Sequence, residues 1–391
     1  MHHPRASTSH ELVAAAKKLR QWLLEAALPL WWRVGADRAL GGYHERIDFD
    51  GKPVILPRRS RVAARQAFCY YEAGRLGWNG PWREAGQHAL RFLRQHFVQS
   101  DGAVLSTVDQ DGGVLDATFD LYNQAFALLA YACGHGSLDP SGGWQSQAYA
   151  LVGTLKREFA HPAGGFREDR AGRLPLRANP HMHLLEAALT WFVIDTNPIW
   201  RDIADEIATL CLSRFIDRDT AALQELFASD WTAISGTPSE VLEPGHHYEW
   251  AFLLDRWTKL TGRTRPAEVP KLIAFADAKG VDRERRVAIN GITPDGSVYD
   301  ATARLWPQTE RIRAYLIDRR DGDEARLREA IETLFRYLDA PLSGLWYENL
   351  AADGQFVVEA APATSLYHIV GAIAEFWSSF GEGAVLAPES D

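Results

Sequence analysis

Leu184-Leu185-Glu186-Ala187-Ala188-Leu189-Thr190-Trp191-Phe192-Val193-Ile194 is apolar on nearly every side. After Asp195-Thr196-Asn197-Pro198 comes a segment in which Ile203, Ile207 and Leu210 mark one apolar face opposite charges. A helix apolar all round must be buried all round, whereas a helix with one apolar stripe lies at the surface of a core. The same two kinds alternate along the whole chain. Leu12, Ala16, Leu19 and Leu23, and later Leu327, Ile331, Leu334 and Leu338, define one-sided helices. Phe119–Ala132, Trp250–Leu254 and Ile369–Phe376 define enclosed ones.

The spacing predicts twelve helices, near 8–34, 60–77, 81–98, 116–134, 144–159, 181–195, 198–215, 245–262, 266–280, 300–318, 322–338 and 363–380. Connections after odd-numbered helices are long and carry Gly41-Gly42, Asp101-Gly102, Gly164-Gly165, the 216–244 stretch, Asp295-Gly296 and Gly344. Those after even-numbered helices are mostly a few residues. Enclosed even helices inside a ring of one-sided odd helices make an all-α fold, an (α/α)6 barrel of six helical hairpins. Gly42-Tyr43-His44-Glu45, Gly165-Phe166-Arg167-Glu168 and Leu345-Trp346-Tyr347-Glu348 recur in the long loops and predict short β-hairpins on that face. An open helical-repeat scaffold shares the pairing of helices. It usually needs polar capping repeats and a fixed short period, whereas these units are about 60 residues and the last helix is as apolar as the middle ones.

The chain of 391 residues reads as one domain, 1–391, with short polar ends at about 1–7 and 382–391. It is 46% hydrophobic and 24% charged, enough apolar side chain for a large core. A net charge of −9 with no basic block excludes nucleic acid as the expected partner. Cys69, Cys133 and Cys211 are odd in number and far apart, which fits a reducing compartment. No signal peptide or membrane span is legible, so a cytoplasmic protein without membrane partners is expected, and a homodimer is left open.

In a barrel of this kind the long loops and the N-termini of all inner helices meet at one end, and function belongs there. The starts of the even helices hold Arg65, Tyr122 with Asn123, Asn179 with His183 and Glu186, His246 with Glu249, Trp306 with Gln308, and His368. His183 and Glu186, like His246 and Glu249, are three apart and share a helix face, so a carboxylate can hold an imidazole tautomer or bind a sugar hydroxyl. A lone helical histidine is usually structural; three converging on one rim are acid/base equipment. Trp306, Trp346 and Tyr122 offer aromatic faces suited to a pyranose. No metal is expected: there is no His-Glu-x-x-His pair, and His246 and His247 point about 100 degrees apart on a helix. No phosphate-cradling glycine loop is present, so no nucleotide cofactor is expected.

These residues resemble the N-acylglucosamine 2-epimerase family, with the cellobiose 2-epimerases, bacterial mannose isomerases and related aldose-ketose isomerases. The resemblance spans almost the whole chain. It rests on Ala64-Arg65-Gln66, on Asn179-Pro180-His181-Met182-His183-Leu184-Leu185-Glu186, on Pro244-Gly245-His246-His247-Tyr248-Glu249-Trp250, and on Tyr367-His368. It implies an (α/α)6 barrel without metal or nucleotide chemistry and two essential histidines, His246 and His368. Arg65, His183 and Glu249 would match sugar-contacting or supporting residues. The string from Pro244 to Trp250 looks more like the mannose isomerases, and the 216–244 insertion could roof a pocket over one sugar ring. Pro362-Ala363-Thr364-Ser365 departs from the Trp-Lys-Gly approach to the last histidine in several epimerases.

The expected activity is therefore cofactor-independent interconversion of D-mannose and D-fructose through a cis-enediolate. His368 and His246 would move protons, Arg65 would stabilise the oxyanion, and Glu249 would orient His246 or hold a hydroxyl. Tyr122, Asn179, His183, Glu186, Trp306 and Gln308 would bind the sugar. A sugar 2-epimerase is the first alternative. A glycoside hydrolase, drawing on Glu186, Glu249, Asp300 or Glu310, is the second.

Overall fold

The computed structural model describes residues 4–236, 240–319 and 324–381. The polar end expected at 382–391, and the first three residues of that expected at 1–7, lie outside the described residues. Helix α1 begins with Pro4–Trp22 and is carried on, partly as π turns, through Leu23–Ala27, Leu28–Leu30 and Trp31–Gly35. There follow α2 (Ser60–Arg75), α3 (Trp82–His96), α4 (Leu121–Cys133), α5 (Trp144–Thr154), α6 (Ala178–Ile194) and α7 (Ile199–Leu210). The chain continues with α8 (Pro244–Thr261), α9 (Glu268–Lys279), α10 (Leu305–Ile317), α11 (Glu324–Leu338) and α12 (Ala363–Phe380).

The expected starts shift by three residues or more at four helices, α1 beginning at Pro4 where 8 was expected. Helix α4 begins at Leu121, not 116, because Asp120 accepts the Tyr122 N–H at 3.0 Å and caps it, while Val114–Asp116 is a strand. Helix α10 begins at Leu305, not 300, because the Asp300 carboxylate accepts the Thr302 N–H at 2.9 Å and turns the chain first. Helix α6 begins early, at Ala178, since Pro180 is tolerated within the first turn.

The even helices pack each on the next, α2 on α4 and so on to α10 on α12, and α12 packs on α2, which closes the barrel. Helices α3, α5, α7, α9 and α11 each back the inner helix before them, and α1 backs α12. Outer stripes such as Ile203, Ile207 and Leu210 are buried in that seam. Each such side chain contributes about 1.5–3 kcal/mol, and together they hold the two rings concentric. The long connections therefore all lie at the end where the inner helices start. There, two-residue strands entering the inner helices pair antiparallel with other long loops: Arg58–Arg59 with Thr107–Val108, Leu176–Arg177 with Leu226–Phe227, Ala303–Arg304 with Asn349–Leu350, and Ala361–Pro362 with Arg46–Ile47.

One device repeats at the fourth residue of four inner helices. Gln124 grips the backbone of Val104 through both ends of its amide, at 2.8 and 2.9 Å. Gln308 does the same to Ala288, at 2.8 Å each way. His181 and His247 donate Nδ1–H to carbonyls one turn back, Arg177 and Glu243, both at 2.9 Å. Their Nε2 atoms accept the N–H of Phe166 at 3.0 Å and of Leu223 at 2.9 Å. Burial pushes both imidazoles down to about 4, so they are neutral fasteners between helix and loop. Gln308 is thus a fastener as well, which corrects its expected place among the sugar-binding residues. Trp346 is also absent from the cavity: it is fully buried and stacks on Trp31 at 5.4 Å.

Candidate active site

The sixth residues of the inner helices are Arg65, Phe126, His183, Glu249, Glu310 and His368. They meet around the barrel axis. The Arg65 guanidinium lies 4.2 Å from the Phe126 ring, whose centroid is 4.5 Å from that of His183. His183 Nδ1 is 3.8 Å from Glu249 Oε1, and Glu249, Glu310 and His368 offer ligand atoms within 4.8 Å of one another. Three residues further on, and so one layer deeper on the same helix faces, Glu186 and Arg313 stand 3.9 Å apart.

Above this ring a cavity of about 150 Å³ is lined by Arg65, Tyr122, Asn179, His183, His246, Glu249, Trp306 and His368, all expected from the sequence. Glu243, Arg304, Thr364 and Ser365 complete it. Glu186 does not line it. Its carboxylate sits beneath, accepting from the Tyr367 hydroxyl, with His183 Nδ1 at 3.5 Å. Trp306 stands beside both histidines, its ring centroid 5.0 Å from His246 and 5.6 Å from His368. Gly245 makes that possible, since a Cβ there would meet the Trp306 ring at 2.5 Å.

The two histidines carry opposite charge states. His246 Nδ1 is 2.9 Å from Glu225 Oε1 and 3.9 Å from Glu243 Oε1. Burial favours the neutral ring, but Glu225 and then Glu243 outweigh it and push His246 up to about 10. His246 is an imidazolium. His368 donates Nδ1–H to Glu310 Oε1 at 2.8 Å, and Arg313 Nη1 donates to the other oxygen at 2.8 Å. Burial first, then the charges of Arg65, His183 and Arg313, hold His368 well below the ordinary histidine range. It is a neutral imidazole whose Nε2 lone pair is unused by Glu310.

Glu225 explains the asymmetry and takes the ring-orienting role that was one of the two expected of Glu249. Arg59, Arg177 and Arg304 precede α2, α6 and α10, and each neutralises a rim carboxylate, Glu45, Glu168 and Glu348, at 2.5–3.0 Å. The residue preceding α8 is Glu243. Glu225 has no arginine among the described residues and takes His246 instead. Glu249 accepts nothing at Oε1; burial and the charge of Glu310 raise its carboxyl well above the usual range, so it is a neutral acid. Two signals for the missed residues exist in the sequence. Glu310 occupies the same sixth position as His183 and His368, and Leu223-Gln224-Glu225 echoes Tyr43-His44-Glu45.

Arg65 Nε, Asn179 Oδ1, His183 Nδ1 and Glu249 Oε1 are buried without a hydrogen-bond partner, and all belong to residues lining this one cavity. Unpaired buried polar atoms are costly, and a polyhydroxylated ligand can satisfy them. Arg65 is fixed for this by donating to the Tyr122 hydroxyl at 2.5 Å and to the Thr364 carbonyl at 3.2 Å. Glu249, Glu310 and His368 could also supply three metal ligands. Arg313 on Glu310 and the Arg65 charge near His368 oppose a divalent cation there. Of the four carboxylates a hydrolase would draw on, Asp300 holds Thr302, Glu310 holds His368 and Arg313, and Glu186 accepts from Tyr367, which leaves Glu249 alone of the four lining the cavity without a partner at Oε1.

The sequence profile of the N-acylglucosamine 2-epimerase (GlcNAc 2-epimerase) family matches residues 41–372. A mannose-6-phosphate isomerase of Rhizobium meliloti (strain 1021) is 41% identical over 371 residues, covering 92% of this chain and 96% of that one. A cellobiose 2-epimerase of Bacteroides fragilis is 25% identical over 370 residues, covering 86% and 91%. Among solved structures, a D-mannose isomerase superposes with a TM-score of 0.83 at 21% identity, covering 95% of this chain and 98% of that one.

Proposed function

We propose, for a chain that belongs to the N-acylglucosamine 2-epimerase family, that this member of it interconverts D-mannose and D-fructose through a cis-enediolate. The chain is an enzyme of the sugar isomerase and epimerase class; the choice of sugar and of reaction is our reading. What carries it is the pairing of a protonated His246 with a neutral His368 across a cavity of about 150 Å³. A hollow of that size suits one sugar ring better than two.

His368 Nε2 removes the C2 proton, and the released electron pair forms the C1=C2 bond of the enediolate as charge moves to O1. The His246 imidazolium gives a proton to O1 and recovers one from O2 as the ketone forms. Arg65 stabilises the anion without exchanging a proton. His368 returns its proton to C1 on the same face. Glu225 and Glu310 hold the two rings in their opposite states, and Glu249, as a neutral acid, can both donate to and accept from a sugar hydroxyl.

Proton NMR of mannose incubated in deuterium oxide tests the reading, with mannose 6-phosphate, N-acetylmannosamine and cellobiose in parallel. The expected product is fructose, carrying deuterium at one C1 position to the extent that His368 exchanges its proton with solvent before returning it. Glucose labelled at C2, appearing ahead of fructose, would identify a 2-epimerase.

The pH profile follows from the charge states. The active form needs His246 protonated and His368 neutral, so kcat/KM stays level across neutral pH. It falls on the alkaline side as His246 loses its proton near 10, and on the acid side only well below 6.5. A rise in kcat/KM with an apparent pKa of about 6.5 would show that His368 titrates as an ordinary histidine. Activity is also expected to survive prolonged chelation. Loss in EDTA with recovery on adding one divalent ion would reassign Glu249, Glu310 and His368 as ligands.

A further inference from the structure

A hollow of about 540 Å³, larger than the histidine cavity, lies at the other end of the barrel, among the C-terminal halves of inner helices. It contains no histidine, so the proton chemistry does not explain it. Its roof is the layer formed by Glu186 and Arg313, and its walls include Glu72, Arg256, Gly371 and Glu375. Arg75, at its edge, is already paired with Glu72 at 2.9 Å. Arg256 and Glu375 are half-buried and carry no side-chain hydrogen bond or ion pair among the described residues. Arg313 is 4% exposed, and its Nε–H is buried with no partner. Gly371 leaves the space open: a Cβ there would meet nothing nearer than Arg313 Cζ at 4.0 Å.

The unpartnered Arg256 guanidinium and Arg313 Nε–H line one hollow with the half-buried Glu375 carboxylate, and so define a ligand by its charges. A dianion such as phosphate would be repelled by Glu375 and Glu72. A monocarboxylate bearing hydroxyl or ammonium donors satisfies both sides, its oxygens on the arginines and its donors on Glu375. We propose that this hollow is a second binding site, for a small monocarboxylate that also carries hydrogen-bond donors, seated on Arg256 and the Arg313 Nε–H and felt in the reaction chamber through Arg313 and Glu186. The coupling has a short path. Arg313 also donates to Glu310, which holds His368, while Glu186 lies 3.5 Å from His183 Nδ1.

Isothermal titration of the full chain with L-glycerate and with L-serine, which share one configuration at C2, tests the site, with acetate and glycerol as controls lacking donors or charge. One saturable site is expected for glycerate or serine, and which binds more tightly tells a hydroxyl from an ammonium donor. Arg256→Ala weakens it roughly tenfold or more, and Gly371→Leu, which fills the hollow, abolishes it. His368→Ala leaves it intact. No saturable binding of either probe, or binding lost in His368→Ala but kept in Arg256→Ala and Gly371→Leu, overturns the proposal. The coupling rests on the sugar-isomerase reading, whereas the binding does not, so their failures are distinguishable. Saturating ligand is expected to change kcat at least about twofold without competing with sugar; an unchanged kcat refutes the coupling.

Discussion

His368→Ala and His246→Ala are each expected to lower kcat by about three orders of magnitude or more, the range for losing a general acid or base together with its electrostatic contribution. Both variants stay folded. The two side chains open onto the cavity, and their removal withdraws no apolar group from the core. His247→Ala is the control. It removes the acceptor for the buried Leu223 N–H and costs about 1–3 kcal/mol of stability, with turnover largely kept. Circular dichroism, urea unfolding and single-turnover kinetics on the three variants separate these outcomes. If His247→Ala were the inactive protein and His246→Ala nearly normal, the phase of α8 at the cavity would be wrong. Glu225→Gln refines the result by removing charge and keeping shape. It should bring the alkaline limb down from about 10 toward the ordinary histidine range.

Arg313→Leu carries the largest expected effect on stability. Glu310 and Glu186 are 0% and 2% exposed, and Arg313 is the cation shared between them, 2.8 Å from one and 3.9 Å from the other. Leucine leaves two buried carboxylates uncompensated, at a cost of about 3–5 kcal/mol. The deficit depends on pH in a defined direction. Burial raises Glu186, but His183, Arg313 and Tyr367 overcome it and hold the carboxyl at about 2. Its stabilisation is therefore complete above its unfolded value of about 4.3 and disappears as pH falls toward 2. The gap between wild type and Arg313→Leu should narrow across that window. Urea unfolding at neutral pH and near pH 3 measures it. A neutral-pH deficit under about 1 kcal/mol would mean that water from the second hollow already solvates this layer.

The ring of site residues was largely legible because inner helices were recognisable from being apolar on every side, and polar residues at their starts had one place to go. Arg65, His183, Glu249 and His368 were found that way. Glu310 reads from the sequence only as a possible hydrolase acid, although it stands at the same sixth position. Gln308 and Glu186 were misplaced for one reason. A polar residue near a helix start reads the same whether it faces a ligand, a loop backbone or the layer beneath. Gln308 spends its amide on Ala288, and Glu186 turns to Tyr367 and Arg313. The i, i+3 rule paired His246 with Glu249. That rule describes one isolated helix and cannot see a carboxylate arriving from a loop with no periodicity.

By itself the sequence determined the two rings of helices, the end of the barrel where the polar residues of the inner helices converge, and the identity of the histidines there. Hydrophobic periodicity encodes burial, and burial decides which helix lies inside. What only the tertiary structure decided is which histidine is held protonated and which neutral. The two side chains are chemically the same, and protonation is set by burial and by charges within a few ångströms. Those charges come from far along the chain: Glu225 stands 21 residues from His246, and Glu310 stands 58 residues from His368 and shares its charge with Arg313. The closing of the barrel gathers anions around one imidazole and buries the other beside Arg65 and a Glu310 whose charge Arg313 shares, and so turns two like residues into a donor and an acceptor.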